Sequence, residues 1–481
     1  MEDMKVLKGL EPSNVFGFFE DISRIPHGSD NTKQLSDWIV AFATERNLEH
    51  YQDEMNNVII VKEPSAGYEA SEPVILQGHI DMVCNKDESC DKDMAECGLD
   101  LAVDGDLIYA EGTTLGGDDG IAVAYMLAIL DDESLAHPRV ECVFTTDEET
   151  GLYGAEAIDV SSLKGRRFIN IDSENEGILT AGCAGGATAI ASLPVHRAAY
   201  EGGAFKVKIS GLRGGHSGLE INMGQENALK VLGRLLYELQ EEADARIAVI
   251  GGGMADNVIP TSAEAVIVSP SADKVQSVCD KYRDIFAHEF KMDPDFALSL
   301  EATECDELPM DDETCRKLIA YLIGAPNGIE KMTVGIEGLP QTSLNLGILE
   351  IRGDSAEYMF CIRSAVDSEC EMLVRRLKSQ IEALGGSIKI EGWYPGWEYS
   401  AESPLRDLVC QVYKEQTGKD MVIEAIHAGL ECGFFAGKMP GLDCISIGPD
   451  LNDVHTPKET MSISSVARTW ELVKEVLSRM K

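Results

Sequence analysis

The sequence predicts an α/β protein in which one open-sheet domain is split around a second, α+β domain. Three observations carry this. Short apolar runs bounded by turn residues alternate with segments of helical periodicity, between residues 13 and 172 and again near the end of the chain. Several of those runs end at His, Asp or Glu. Between 186 and 398 the order changes to strand, helix, strand, strand, helix, strand, which is a complete two-layer unit. The boundaries fall at 1–185 and 399–481 for the split domain and 186–398 for the inserted one.

Helices are expected at 13–24, with Val15, Phe18, Phe19 and Ile22 on one face, and at 31–46, joined by the turn Ile25-Pro26-His27-Gly28. Strands come next at 57–61 and 74–77, then an acidic, irregular loop over 84–106. The glycine-rich turn Leu115-Gly116-Gly117-Asp118-Asp119-Gly120 opens a helix over 121–130. A carboxylate is favoured beside the free N–H groups of a helix start, so Asp118 reads first as a cap. Two acids flanked by three glycines exceed what a cap requires. Apolar strands at 140–146 and 167–171 run into Asp147-Glu148-Glu149 and Asp172-Ser173-Glu174, and the strand at 444–447 precedes Asp453-Val454-His455. If the strand continues through them, Glu148 and Glu149 point oppositely. In the middle, Gly182, Gly185 and Gly186 mark a hinge-like crossing. Strands at 205–210, 247–250, 263–268 and 296–301 with helices at 222–241 and 272–290 make the first βαββαβ unit. A second, imperfect series (helices 313–323 and 368–384; strands 343–351, 358–365 and 387–391) suggests internal doubling. The helix at 463–480, with Val466, Trp470, Val473 and Leu477 on one face, closes the first domain.

Composition narrows the function. The 481 residues include 83 Asp+Glu against 41 Lys+Arg, a formal net charge of −42. Nucleic-acid binding is disfavoured, because phosphate contacts need a basic footprint, and so is an anionic membrane surface. No apolar run approaches the roughly 20 residues of a membrane span. The N-terminal MEDMKVLKGLEPSN has no basic stretch followed by an apolar one, so no signal peptide is expected. Thirteen cysteines without a CxxC pair fit the reduced thiols of a cytoplasmic protein and argue against a cysteine-ligated metal.

The strand ends then converge on one chemistry. His79 and Asp81, two apart, emerge on one side of their strand, an imidazole beside a carboxylate that can orient it. In an open α/β sheet, ligands bind outside the carboxyl ends of the strands. Those ends supply His79, Asp81, Glu148, Glu149, Asp172 and His455, with Asp118 opening the intervening helix. Two imidazoles and several carboxylates suit zinc, cobalt or manganese, and the tally allows two ions sharing a bridging carboxylate with one carboxylate to spare as a base.

GHIDMV, LGGDDG, TTDEETG, INIDSE, GGHSG and DVHTP, in that order, resemble the zinc metallopeptidases related to carboxypeptidase G, aminoacylase and tripeptidase, and among them most the bacterial cytosolic aminoacyl-histidine (Xaa-His) dipeptidase branch. The resemblance implies a mixed-sheet α/β/α metallopeptidase catalytic domain interrupted by a ferredoxin-like lid, here about twice the usual size, as a doubled unit would be. It implies two divalent ions, zinc before cobalt or manganese, held by His79, Asp118, Glu149, Asp172 and His455, with Asp118 as the bridge. Glu148 corresponds to the general base for a metal-activated water and Asp81 to the support of His79. In the lid, His216 corresponds to a histidine that reaches the scissile carbonyl. Asn257 resembles a substrate contact and Arg363 a clamp for a terminal carboxylate. His427-Ala428-Gly429-Leu430-Glu431 resembles a substrate loop, with Gly429 beside the substrate and Glu431 meeting an α-ammonium or, equally, stabilising its own loop. The implied reaction is dipeptide hydrolysis in the cytoplasm on a small peptide substrate, with a homodimer possible. An N-acyl amino acid deacylase is the alternative. A non-catalytic metal-binding protein is disfavoured because Glu148 is present.

Overall fold

Apolar runs become strands where both faces of the sheet are covered: every residue of Val74–His79 and of Val140–Thr145 is buried. The structure, a computed structural model, describes residues 6–481. The chain folds as two compact units, one running to Gly182 and including Tyr399–Ala425 and Leu430–Lys481, the other Cys183–Glu398 with Ile426–Gly429. In the first unit Val74–His79 is strand β1, Gly117–Asp131 helix α1, Val140–Thr145 β2 and Arg167–Asn170 β3. The second unit supplies Gly185–Pro194 (β4), Gly203–Ser210 (β5), Ala228–Ala243 (α2), Arg246–Gly252 (β6) and Ala263–Ser269 (β7). It continues with Ala272–Glu289 (α3), Ala297–Thr303 (β8), Asp312–Gly324 (α4), Pro340–Arg352 (β9), Ser355–Ser364 (β10), Asp367–Ala383 (α5) and Ser387–Tyr394 (β11). Asp443–Ser446 (β12) and Ile463–Arg479 (α6) belong to the first unit again.

The first unit is built on an eight-stranded mixed sheet. At its centre β2, β1, β3 and β12 lie side by side and parallel, while Val58–Lys62 pairs antiparallel to β2. The four parallel strands deliver their following loops to one edge of the sheet, where an α/β protein builds its site. Helix α1 is apolar all round from Ile121 to Leu130, and all ten residues are at most 1% exposed, so it is a core helix rather than an amphipathic one. Its start presses on β1: a Cβ on Gly78 would lie 2.6 Å from the Ala122 Cβ and 2.5 Å from an Asp119 carboxylate oxygen, so only glycine fits before His79.

Four expectations change. The strand does not run through the acids: β2 stops at Thr145, Asp147 takes φ 52°, and the chain turns, so alternation no longer separates Glu148 from Glu149. The loop at 84–106 ends in a strand, Leu101–Asp104, hairpinned to Leu107–Ala110, which pairs on to Thr460–Ser462. The long helix expected from residue 222 begins at Ala228, because the Asn227 side chain accepts the N–H groups of Leu229 and Lys230 and caps it there. The crossing between the units does fall at these glycines, but as strands: Gly182 lies in Ile178–Cys183 and Gly185 and Gly186 open β4, where a Cβ on Gly185 would lie 2.3 Å from the Gly396 nitrogen.

In the second unit one sheet runs β8-β5-β7-β6-β9-β10-β4-β11. Its first half, β5-α2-β6-β7-α3-β8, has the spatial order fourth, first, third, second strand. The other half, β4-α4-β9-β10-α5-β11, has the same order. The doubling is therefore complete, and it looks imperfect in sequence because β4, the first strand of the second copy, precedes the entire first copy. The halves join edge to edge where Gly252 pairs with Leu349. Beside that seam Gly253 has φ 82°, and a Cβ there would fall 1.8 Å from the Gly347 carbonyl oxygen.

Candidate metal centre and active site

The site is assembled from strand ends. His79 is the last residue of β1 and is 1% exposed. Its Nδ1 donates to the Asp81 carbonyl oxygen at 2.9 Å, which leaves Nε2 facing outward. That Nε2 lies 3.0 Å from Asp118 Oδ1 and 3.6 Å from Asp172 Oδ1. The other Asp118 oxygen, Oδ2, lies 3.1 Å from His455 Nε2, which is also 3.0 Å from Glu149 Oε1. Asp118 thus turns one oxygen to each of two donor sets: His79 with Asp172, and His455 with Glu149. In each set, with Asp118, the donor atoms lie within 4.8 Å of one another. Asp119 faces elsewhere, accepting the backbone N–H of His79 at 3.2 Å.

Asp81 is the hub of the support. Its Oδ1 accepts the N–H of Glu148 at 3.1 Å, and its Oδ2 accepts the N–H of Glu149 at 3.3 Å and the Ser29 hydroxyl at 2.8 Å. One buried carboxylate therefore ties the loop after β2 to the loop after β1 and to the turn at 25–30. Asp147 is held likewise, accepting the N–H of Asp30 at 2.7 Å.

The residues fit divalent cations. Glu149 Oε1 is buried and makes no hydrogen bond although it sits 3.0 Å from an imidazole nitrogen, as two ligands aimed at a common point do. The charge balance agrees. Burial drives the Glu148 carboxyl well above its ordinary range, with Asp172, Glu431 and Glu149 adding to the effect against His79. Burial likewise raises Asp172 to about 6, and burial with the Asp118 and Asp172 charges raises Glu174 to about 7. Asp118 and Glu149 beside it lift His455 to about 10. Burial opposes a proton on His79, but Asp118, Asp172 and Asp81 outweigh it and raise its pKa well above normal. The cluster holds more carboxylates than its two imidazoles can balance even when both are protonated, and hard or borderline dications on O and N donors supply what is short.

A second polar group forms within the other unit. His216 Nδ1 accepts the N–H groups of Gly218 and Leu219 at 3.2 and 3.1 Å. The neutral ring must then carry its proton on Nε2, where it can be donated. Arg363, on β10 and 7% exposed, reaches the Tyr394 hydroxyl at 3.3 Å through Nη1, while its Nε is buried without a partner. A Cβ on Gly218 would lie 3.0 Å from His216 Cε1 and 3.2 Å from that Nε, so the imidazole and the guanidinium converge on one spot. Asn257 joins them through its carbonyl, which accepts Ser217 N–H at 2.8 Å. Gly429 lies in this unit, in the segment 426–429. Glu431 belongs to the first unit and is fully buried there: Gln77 Nε2 and the Thr145 hydroxyl donate to its Oε2 at 2.5 and 2.8 Å, and Oε1 has no partner. Burial raises its carboxyl to about 8.

Several contacts escaped sequence reading. Ser29 supports Asp81 from what looked like an ordinary turn. His427 is 3% exposed with Nε2 2.7 Å from the Ser343 hydroxyl, and burial pushes its pKa down to about 3. Glu459, 2% exposed, accepts three backbone N–H groups of the glycine-rich turn. Ser29 and Glu459 do not follow an apolar strand, the signal that exposed the others; His427 does follow a strand, Val422–Ile426.

The model of Peptidase family M20/M25/M40 matches residues 75–479. The chain is 36% identical over 483 residues to the cytosol non-specific dipeptidase of Escherichia coli (strain K12), covering 99% of each. It resembles the crystal structure of an aminoacylhistidine dipeptidase from Vibrio alginolyticus with a TM-score of 0.94 and 34% identity, over 98% of this chain and 97% of that one. The aminopeptidase PepT of Bacillus cereus shares the fold, with a TM-score of 0.57 at 14% identity over 98% and 99% of the two chains. With its donor sets at the strand ends of a split α/β unit, the chain belongs to peptidase family M20/M25/M40.

Proposed function

We propose that this chain is a co-catalytic two-metal dipeptidase. The observation that carries the reading is Asp118, which presents one oxygen to His79 and Asp172 and the other to His455 and Glu149. The Escherichia coli and Vibrio alginolyticus relatives are named as dipeptidases and match over nearly their full length. His79, Asp118 and Asp172 would hold one ion and Asp118, Glu149 and His455 the other; zinc suits the N/O donor set, as do cobalt and manganese. Bound there, such ions supply Lewis acidity toward a carbonyl oxygen and lower the pKa of water.

The protein's own groups do the rest. Glu148 takes the proton of the attacking water and delivers it to the leaving amine, a task suited to a carboxyl whose pKa is raised by burial. His216 Nε2–H donates to the oxygen on which charge develops. Arg363, with its unpartnered Nε, holds the substrate's terminal carboxylate, and Asn257 and Gly429 line the substrate. The substrate is a small peptide of the Xaa-His, carnosine-like kind, and broader dipeptides are compatible. A cytoplasmic site of action accords with the relative's name, and no described helix is long and apolar enough to cross a membrane.

Metal analysis combined with hydrolysis of carnosine, Ala-His and N-acetyl-histidine tests this. Two ions per chain and cleavage of the dipeptides are expected. Cleavage of N-acetyl-histidine alone would assign a deacylase instead, and metal binding without any turnover would leave a binding protein.

A further inference from the structure

Gly116 and Gly117, the two glycines before Asp118, meet a partner besides the helix they open. Glu459 sends its buried carboxylate onto the backbone of their turn: Oε2 accepts Leu115 N–H at 2.8 Å and Gly116 N–H at 3.2 Å, and Oε1 accepts Gly117 N–H at 2.8 Å. Three successive amides pointing at one anion form a nest, and the left-handed turn it needs is present at Gly116, with φ 65° and ψ 33°. Side chains are crowded here: a Cβ on Gly116 would fall 2.7 Å from Met82 Sδ, and one on Gly117 would fall 3.1 Å from Leu451 Cδ2 and 3.3 Å from Glu459 Oε1.

The same carboxylate belongs to the loop that carries His455, four residues earlier. Glu459 N–H donates to Thr456 O at 3.1 Å, so the turn 456–459 is closed on itself. His455 sits in the left-handed region at φ 63° and is 47% exposed on its side chain, so its own packing does not fix it. We propose that Glu459 is a positioning residue of the metal centre, locking the loop of His455 to the loop of Asp118 and so setting the bridge between the two donor sets. This role rests on the two-metal reading of the site. It adds that the affinity of the centre depends on a carboxylate that touches neither ion.

The geometry makes the role selective. Two carboxylate oxygens can accept three amides, whereas a Gln side chain has one acceptor oxygen and would aim its NH2 group at an amide hydrogen. Asp shares the chemistry but is one methylene shorter. Because Asp118 is common to both donor sets, loss of the clamp weakens both ions together, unlike loss of His455, which touches one set.

The test uses full-length protein stripped with a chelator and titrated with Zn²⁺ against a chromophoric chelator, beside the thermal midpoint with and without Zn²⁺. Glu459→Gln is expected to weaken both ions by roughly 10–100-fold, the usual cost of losing an outer-sphere partner. The rise in midpoint on adding Zn²⁺ should shrink in step. Combined with Asp118→Asn, Glu459→Gln should cost less affinity than it does alone, because part of its effect runs through Asp118. If Glu459→Gln does not fold, Gly117→Ala, which crowds the same carboxylate, is read in its place. Wild-type affinity for both ions in the folded variant, with equal lowering of the midpoint in stripped and loaded protein, would overturn the proposal and leave Glu459 a loop-stabilising acid. Failure of wild-type protein to bind two ions would instead strike the two-metal reading itself.

Discussion

Glu148 and Glu149 are neighbours with different surroundings. Both N–H groups are held by Asp81, but only the Glu149 carboxylate stands against His455. Glu148→Gln should therefore keep two ions and lower kcat by about 10²–10⁴, the range of a lost general base. Glu149→Ala should lose one ion. Metal counting beside steady-state kinetics checks both, and a Glu148→Gln enzyme with near-normal kcat would remove it from the reaction. His216→Ala should lower kcat by about 10²–10³ with metal content intact, as for a lost oxyanion donor, and leave KM nearly unchanged. The residues of the candidate metal centre could be picked out because His79, Glu149 and Asp172 stand at or just past the ends of apolar strands and Asp118 at a glycine-rich helix start, while His455 follows β12 at a longer distance. Ser29 and Glu459 could not. A serine or glutamate that serves a buried carboxylate or a backbone nest has the same one-letter surroundings as a solvated one, and only the fold distinguishes them.

At the scale of elements, the seam between β6 and β9 makes one sheet out of two copies. Gly253→Ala forces a side chain into the left-handed region and against the Gly347 carbonyl. It should destabilise the protein by at least about 1–3 kcal/mol in denaturant unfolding, with metal stoichiometry unchanged. An unaltered midpoint would show that the seam is soft. Most strands and helices could be read from periodicity, since their apolar faces are long enough to declare a period. The exceptions have physical causes. β4 begins with Gly185-Gly186, chosen for close backbone approach rather than strand propensity. Asn227 moved a helix start by satisfying the first free N–H groups itself. The nested order of the two copies was invisible because a repeat is sought as a contiguous block.

For the whole molecule, charge sets two responses. Chelation should abolish activity and lower the thermal midpoint, because the clustered carboxylates lose the cations that balance them; Zn²⁺, Co²⁺ or Mn²⁺ should restore both. An unchanged midpoint after complete removal would deny the ions a structural share. His427, its pKa pushed down to about 3 by burial and then by Arg363 and His216, responds to acid. Between about pH 6.5, the unfolded value, and 3 the unfolded chain holds a proton there that the folded chain does not, so stability is full above 6.5 and falls below it. From pH 7 to 5 this one group should cost at most about 2 kcal/mol, and His427→Gln should flatten that part of the profile. Strand β12 has a consequence of another kind. It lies between β3 and Ile178–Cys183, yet it is made of residues 443–446, after the whole inserted unit. As the chain leaves the ribosome, the sheet waits with a slot open until residues 443–446 emerge behind the inserted unit, and His455 arrives later still. A chain that stops short of residue 443 thus has neither a finished sheet nor a finished pair of donor sets, and the capacity to cut peptides waits on a segment made after the inserted unit.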